Sequence, residues 1–89
     1  MNSNFEPVSV VPMYNGFQKV FQFPNGFGAS VISHDHSYGG SQGLYEIAVL
    51  NKKGDIVYDT PITDDVIGYL TEEDVNSYLD KISKLNQNG

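Results

Sequence analysis

The chain contains no cysteine and no tryptophan, and its five basic residues are all lysine, so arginine is missing as well. Without cysteine there is no disulfide framework, no thiolate metal site and no cysteine nucleophile. Without arginine there is no planar, five-donor fork of the kind that grips phosphates and base edges. Eleven carboxylates against five lysines give a formal net charge of -6, the wrong sign for direct binding to nucleic acid. Long apolar runs are lacking too. Ile47-Ala48-Val49-Leu50 is among the longest, far short of the roughly 18 to 20 residues a spanning helix needs. Met1 to Pro7 show neither the basic region nor the apolar stretch of a signal peptide, and neither end carries a lipidation motif. A soluble intracellular protein that does not engage membranes is expected, and 89 residues suffice for one small domain.

The charge that is present is concentrated. Residues 1–54 hold Glu6, Asp35 and Glu46 against Lys19, Lys52 and Lys53, which cancel. Residues 55–74 then hold Asp55, Asp59, Asp64, Asp65, Glu72, Glu73 and Asp74 with no base at all. The acidity of the chain therefore belongs to one segment.

Periodicity predicts an α+β domain: a four-stranded antiparallel meander with one C-terminal helix packed on one face. Residues 1–16, with Pro7 and Pro12 among valines, read as an extended, partly ordered arm with at most a short edge strand. Residues 17–89 form the domain. Phe17–Phe23 and Phe27–Ser33 alternate as strands, and Asn25-Gly26 between them suits a type I′ turn. His34–Gly43 is a Gly- and Ser-rich loop, long for a hairpin connection. Leu44–Leu50 and Ile56–Tyr58 complete the meander, and Thr63–Ile67 reads as one capped helical turn ended by Gly68. Thr71 and Asp74 form a capping-box pattern, after which Val75, Tyr78, Leu79, Ile82 and Leu85 repeat at helical spacing. The stripe is expected to pack on Phe21, Phe23, Val31, Ile47 and Val49. Val20, Ile32, Leu44, Ala48 and Val57 then lie on the other face, which a symmetric dimer or the N-terminal arm is expected to cover.

Few residues are set up for chemistry. His34 and His36 would share one side of an extended segment, but a zinc site needs a third ligand, and the spacing selects neither Asp35 nor Glu46. The expected reading is a solvated loop tip with no metal. Ser33 and Ser37 adjoin the histidines without a nucleophile elbow around either, and the acids lack calcium-loop spacing. Neither an enzyme nor a cofactor is expected. Tyr38 has no apolar neighbours in sequence to bury it, so it either contacts a partner or folds back on the sheet. Capping and turn chemistry account for Asp74, Asp64 and Asp55, and the helix dipole for Glu72 and Glu73. Asp59 and Asp65 are left without a structural role. The expected partner-binding surface is thus Asp59, Asp64, Asp65, Glu72 and Glu73, with Tyr38 and Tyr69 as anchors.

Two blocks carry a resemblance. One is Asn25-Gly26-Phe27-Gly28-Ala29-Ser30-Val31-Ile32, continued by Ser37-Tyr38-Gly39-Gly40 and by Gly43-Leu44-Tyr45-Glu46-Ile47-Ala48-Val49-Leu50. The other is Tyr58-Asp59-Thr60-Pro61-Ile62-Thr63-Asp64-Asp65-Val66-Ile67-Gly68-Tyr69-Leu70 with the helix behind it. Over residues 17–85 the chain resembles small proteins encoded by tailed bacteriophages. The resemblance assigns no catalytic residue. It implies a setting, the cytoplasm of a host cell, in which small acidic phage proteins bind and inhibit host proteins, anti-phage defence enzymes included. The implied partner is a host protein with a basic surface, on which the acids would stand in for phosphates. The alternatives are a module that sequesters a nucleotide-type ligand with its Gly-rich loop, and a minor structural protein.

Overall fold

The computed structural model describes residues 5–57 and 66–85. The chain is α+β, an antiparallel sheet with one C-terminal helix. The sheet runs β1 (Ser9–Met13), β2 (Gly16–Gln22), β3 (Gly28–Ser33), β4 (Tyr45–Leu50) and β5 (Ile67–Leu70), and α1 (Glu72–Ser83) follows. Strand order equals chain order, so the sheet is a meander of five strands, not the four expected from periodicity. Three of the expected strands are present as β2, β3 and β4. The expected strand at 56–58 is reduced to one bridge, Leu50 with Ile56, and Tyr58 lies outside the described residues. The additional strands are β1, cut from the segment read as an arm, and β5, where a helical turn was expected to end.

β5 escaped the sequence reading for a physical reason. Ile67 and Leu70 both face the core, a spacing of three that reads as helical. A strand achieves this spacing only by inserting a residue. Tyr45 pairs with Leu70 and Ile47 with Ile67, so Gly68 and Tyr69 together oppose the single residue Glu46. This is a β-bulge, and it returns Leu70 to the core face. The expected helical residues Thr63 to Asp65 lie outside the described residues.

The type I′ turn is also elsewhere than expected. β1 and β2 join through Tyr14 (φ 47°) and Asn15 (φ 64°), between the paired Met13 and Gly16. Two consecutive left-handed residues in a two-residue hairpin define that turn. At Asn25-Gly26 only Gly26 (φ 90°) is left-handed. Pro24 is the cause. It has no N–H to close a pair with Phe27, so the hairpin closes one residue out, Phe23 N donating to Phe27 O (2.9 Å). Gly26 N donates to Phe23 O (3.1 Å) across the resulting turn, and Gly26 takes the bulge position. The turn also clasps the helix. Asn25 Nδ2 donates to the C-terminal carbonyls of Ile82 (2.8 Å) and Leu85 (3.0 Å).

At its other end α1 starts at a full capping box: Asp74 N donates to Thr71 Oγ1 (3.2 Å) and Thr71 N to Asp74 Oδ2 (3.1 Å). The expected stripe is the one buried. Val75, Leu79 and Ile82 pack with Phe21, Phe23, Ala29, Val31, Ile47, Val49 and Leu70, and Leu85 borders the cluster. On the opposite face Ala48 and Leu50 are buried, while Val20 and Ile32 are half-buried. At the outer edge β1 exposes Val10 and Val11, and Pro12, which has no N–H to offer a further strand, blunts that edge. Among the described residues no helix is long and apolar enough to cross a membrane.

Candidate functional site

The Gly-rich loop is ordered by its own hydrogen bonds. His34 N donates to Ser37 Oγ (2.9 Å), and that hydroxyl donates to His34 O (3.0 Å), closing a tight turn. Gly40 N then donates to Ser37 O (3.2 Å), and a 3₁₀ turn, Gly40–Gln42, runs between left-handed Gly39 and Gly43. Gln42 and Leu44 both donate to Gly39 O (3.0 Å each), and Gly43 donates to Gly40 O. The loop is further braced by the β1–β2 turn. Asp35 N donates to Tyr14 O (3.1 Å), Asn15 Nδ2 to Asp35 Oδ2 (2.8 Å), and the Tyr14 ring meets those of His34 and His36 at 5.2 and 4.7 Å.

That bracing sets the loop against the β5 bulge. Tyr69 N donates to Tyr38 O (3.2 Å), and Tyr38 N donates to Glu46 Oε1 (2.9 Å), the residue the bulge opposes. Two dipeptides, Tyr38-Gly39 and Gly68-Tyr69, interlock here. A Cβ on Gly68 would overlap that of Tyr38 and lie 3.3 Å from Tyr38 Cγ. A Cβ on Gly39 would lie 3.0 Å from Tyr69 Cα and 3.1 Å from Tyr69 Cδ1. Each tyrosine thus rests on the other segment's glycine, where only a hydrogen side chain leaves room. Tyr69 takes φ 57°, a left-handed conformation unfavourable to a bulky residue. Both tyrosines nevertheless remain 60% exposed.

Of the anchors and acids expected from sequence, the fold brings Tyr38 and Tyr69 together. Glu72 and Glu73 follow Tyr69 closely as exposed first-turn residues of α1. Asp59, Asp64 and Asp65 lie outside the described residues. The solvated loop tip expected at the histidines needs correcting, because His34 is buried beneath Tyr14 and only His36 is exposed. His36 N donates to His34 Nδ1 (3.0 Å), so that nitrogen is already engaged within the loop. Among the described residues no group of three His, Asp or Glu side chains is placed to hold a metal ion. An open cleft of about 300 Å³ beside Phe23, Phe27, Asn51 and Lys52 is lined, among the described residues, by no carboxylate, histidine or hydroxyl.

Sequence reasoning missed Glu46, Gly39 and Gly68 as parts of this site. For Gly68 a signal existed: an isolated glycine between Ile67 and Tyr69 marks a bulge or a close backbone approach in a strand as readily as a helix end. Comparison with protein-family models, with curated proteins and with solved structures finds no match to the chain.

Proposed function

We propose that this chain is a binding module for a protein with a basic surface, and that as a small acidic phage-type protein it acts in the host cytoplasm by occluding that surface. The observation that carries the reading is the Tyr38–Tyr69 interlock. The backbones of two tyrosines are joined by a hydrogen bond at the bulge, and both residues are left 60% exposed. Rigid aromatic side chains that lose little entropy on binding are what protein interfaces use as anchors. Residues 55–74 hold seven acids and no base, a charge of one sign that suits a basic partner.

Sequestration of a phosphate-bearing ligand by the Gly-rich loop fits less well. The N–H groups of Ser37, Tyr38, Gly40, Gln42, Gly43 and Leu44 already donate within the molecule, which leaves few to cradle an anion.

The test is affinity capture from bacterial lysate with three immobilised proteins: the wild type, Tyr38→Ala/Tyr69→Ala, and Asp59→Lys/Asp64→Lys/Asp65→Lys. A partner should be retained by the wild type at low salt and released between about 0.05 and 0.5 M salt, as screened contacts are. It should be lost from both variants at unchanged melting temperature. Retention by both variants, or a partner with an acidic contact surface, would overturn the proposal.

A further inference from the structure

We infer that the Tyr38–Tyr69 platform is a seat for one cationic side chain, an arginine of the partner protein; this rests on the protein-binding reading and says what the partner must present. The faces of aromatic rings carry negative potential, and a guanidinium plane stacks on them while its edge remains free to hydrogen-bond. The surroundings favour that occupant over the others. An aliphatic anchor would need an exposed aliphatic lining, but among the described residues the large exposed aliphatic side chains are Val8, Val10, Val11 and Ile56, none of them in the two interlocked dipeptides, and Leu44 beside Gly39 is half-buried. At the platform the exposed large side chains are the two tyrosines. A phosphate or nucleotide would meet loop amides already spent within the molecule, under a net charge of -6.

Charge points the same way. Glu46 is fixed at the bulge by Tyr38 N, leaving its second carboxylate oxygen as an acceptor beside the platform. Glu72 and Glu73 follow Tyr69 at the start of α1, both exposed. Among the described residues the lysine–ring contacts are Lys19 with Phe17 (5.1 Å) and Lys81 with Tyr78 (5.2 Å), not with either tyrosine of the platform. The conformation also has a cost that folding alone does not require. Glycine or asparagine would take φ 57° with less strain than tyrosine. A bulge that re-aims a side chain beside a binding site is a recurrent use of that strain.

The experiment titrates the full chain with acetyl-Gly-Arg-Gly-amide and with the same peptide carrying citrulline, followed by amide NMR shifts. The arginine peptide should move Gly39, Gly68 and Tyr69, and the uncharged isostere should not. Tyr38→Leu and Tyr69→Leu should each weaken the response about two- to fivefold, whereas Tyr38→Phe and Tyr69→Phe should keep it, because the ring face and not the hydroxyl holds the cation. The phenylalanine variants also guard against misfolding, since they leave the packing on Gly39 and Gly68 intact. Equal response to the two peptides, leucine variants that bind like wild type, or shifts confined to Glu72 and Glu73 would each overturn the seat. Loss of a captured host partner by the leucine variants, with no response to the arginine peptide, would overturn the seat and leave the protein-binding reading standing.

Discussion

Asn25 is the side chain on which the geometry makes its sharpest quantitative claim. Its amide nitrogen bonds two carbonyls at the end of α1, Ile82 O and Leu85 O, while its Oδ1 accepts from Phe27 N (3.0 Å) within its own turn. One residue of a β-turn therefore closes the helix onto the sheet across 57 positions of sequence. Asn25→Ala removes these three bonds. At about 0.5–1.5 kcal/mol net each, with half-buried carbonyls left short of donors, the loss should be about 2–4 kcal/mol. A chain of this size holds roughly 5–13 kcal/mol in total, so its melting temperature should fall on the order of 10–20 °C.

Asn25→Asp keeps the bond from Phe27 N but at neutral pH sets a carboxylate against the negative end of the helix dipole, a cost of ~0.3–1 kcal/mol. The sign with pH follows. Carbonyl oxygens around the new carboxyl favour its protonated form in the folded state, so the folded state binds more protons than the unfolded one. Stability of that variant relative to Asn25→Ala then rises as pH falls through the carboxylate range, since the protonated carboxyl can donate one bond back. Thermal and urea unfolding of wild type and both variants between neutral and acid pH measures all of this. An alanine variant within about 0.5 kcal/mol of wild type would refute the clasp. So would an aspartate variant whose stability relative to alanine does not rise as pH falls.

Two glycines separate strain from crowding. Gly43→Ala, at φ 77° with nothing within 4 Å of the added Cβ, should cost only the left-handed backbone, about 1–2 kcal/mol. Gly68→Ala must displace Tyr38 as well, and should cost about 1–3 kcal/mol and shift the Tyr38 resonances in NMR, which Gly43→Ala should not do. Thr71→Ala should cost ~1 kcal/mol in urea unfolding through loss of the capping box. Tyr69→Gly should leave stability unchanged or raise it by up to about 1 kcal/mol, by relieving the left-handed backbone, while abolishing partner capture. A marked destabilisation by that change would mean the ring is held for the fold.

Much of the helix and half of the sheet were legible because they obey one rule at a time. The capping box, the stripe of α1 and the alternation of β2 to β4 each state their structure within a few residues. What escaped was set by pairs of signals that compete. Asn25-Gly26 carries a strong hairpin signature, but Pro24 beside it removes the N–H that the shorter turn needs, and the turn type changes. Tyr14-Asn15 carries a weaker signature, and forms the type I′ turn because β1 and β2 need a two-residue link. At the candidate site both tyrosines were legible as anchor candidates, although for Tyr38 the sequence left open whether it would fold back on the sheet. Their meeting was not, because it depends on a bulge in a strand whose spacing imitates a helix. Nor was the fate of His34, which a tyrosine some twenty residues earlier covers.

Among the described residues two tyrosines hold left-handed backbone, and they differ in what they receive for it. Tyr14 sits in a turn that requires positive φ, and its ring closes over the histidine pair that shapes the Gly-rich loop. Its strain is offset inside the molecule. Tyr69 sits in a strand, where a bulge was added to place it, and its ring touches Gly39 while more than half its surface faces solvent. The same bulge opposes Glu46, whose carboxylate fixes Tyr38. One inserted residue therefore sets the backbones of both tyrosines beside one another and beside the Glu46 carboxylate, while both residues stay 60% exposed. Conflicts between local preference and global fold concentrate where function is served at the expense of stability. Tyr69 is the described residue whose conformation the fold explains least, and a ligand in contact with its ring would supply the missing term.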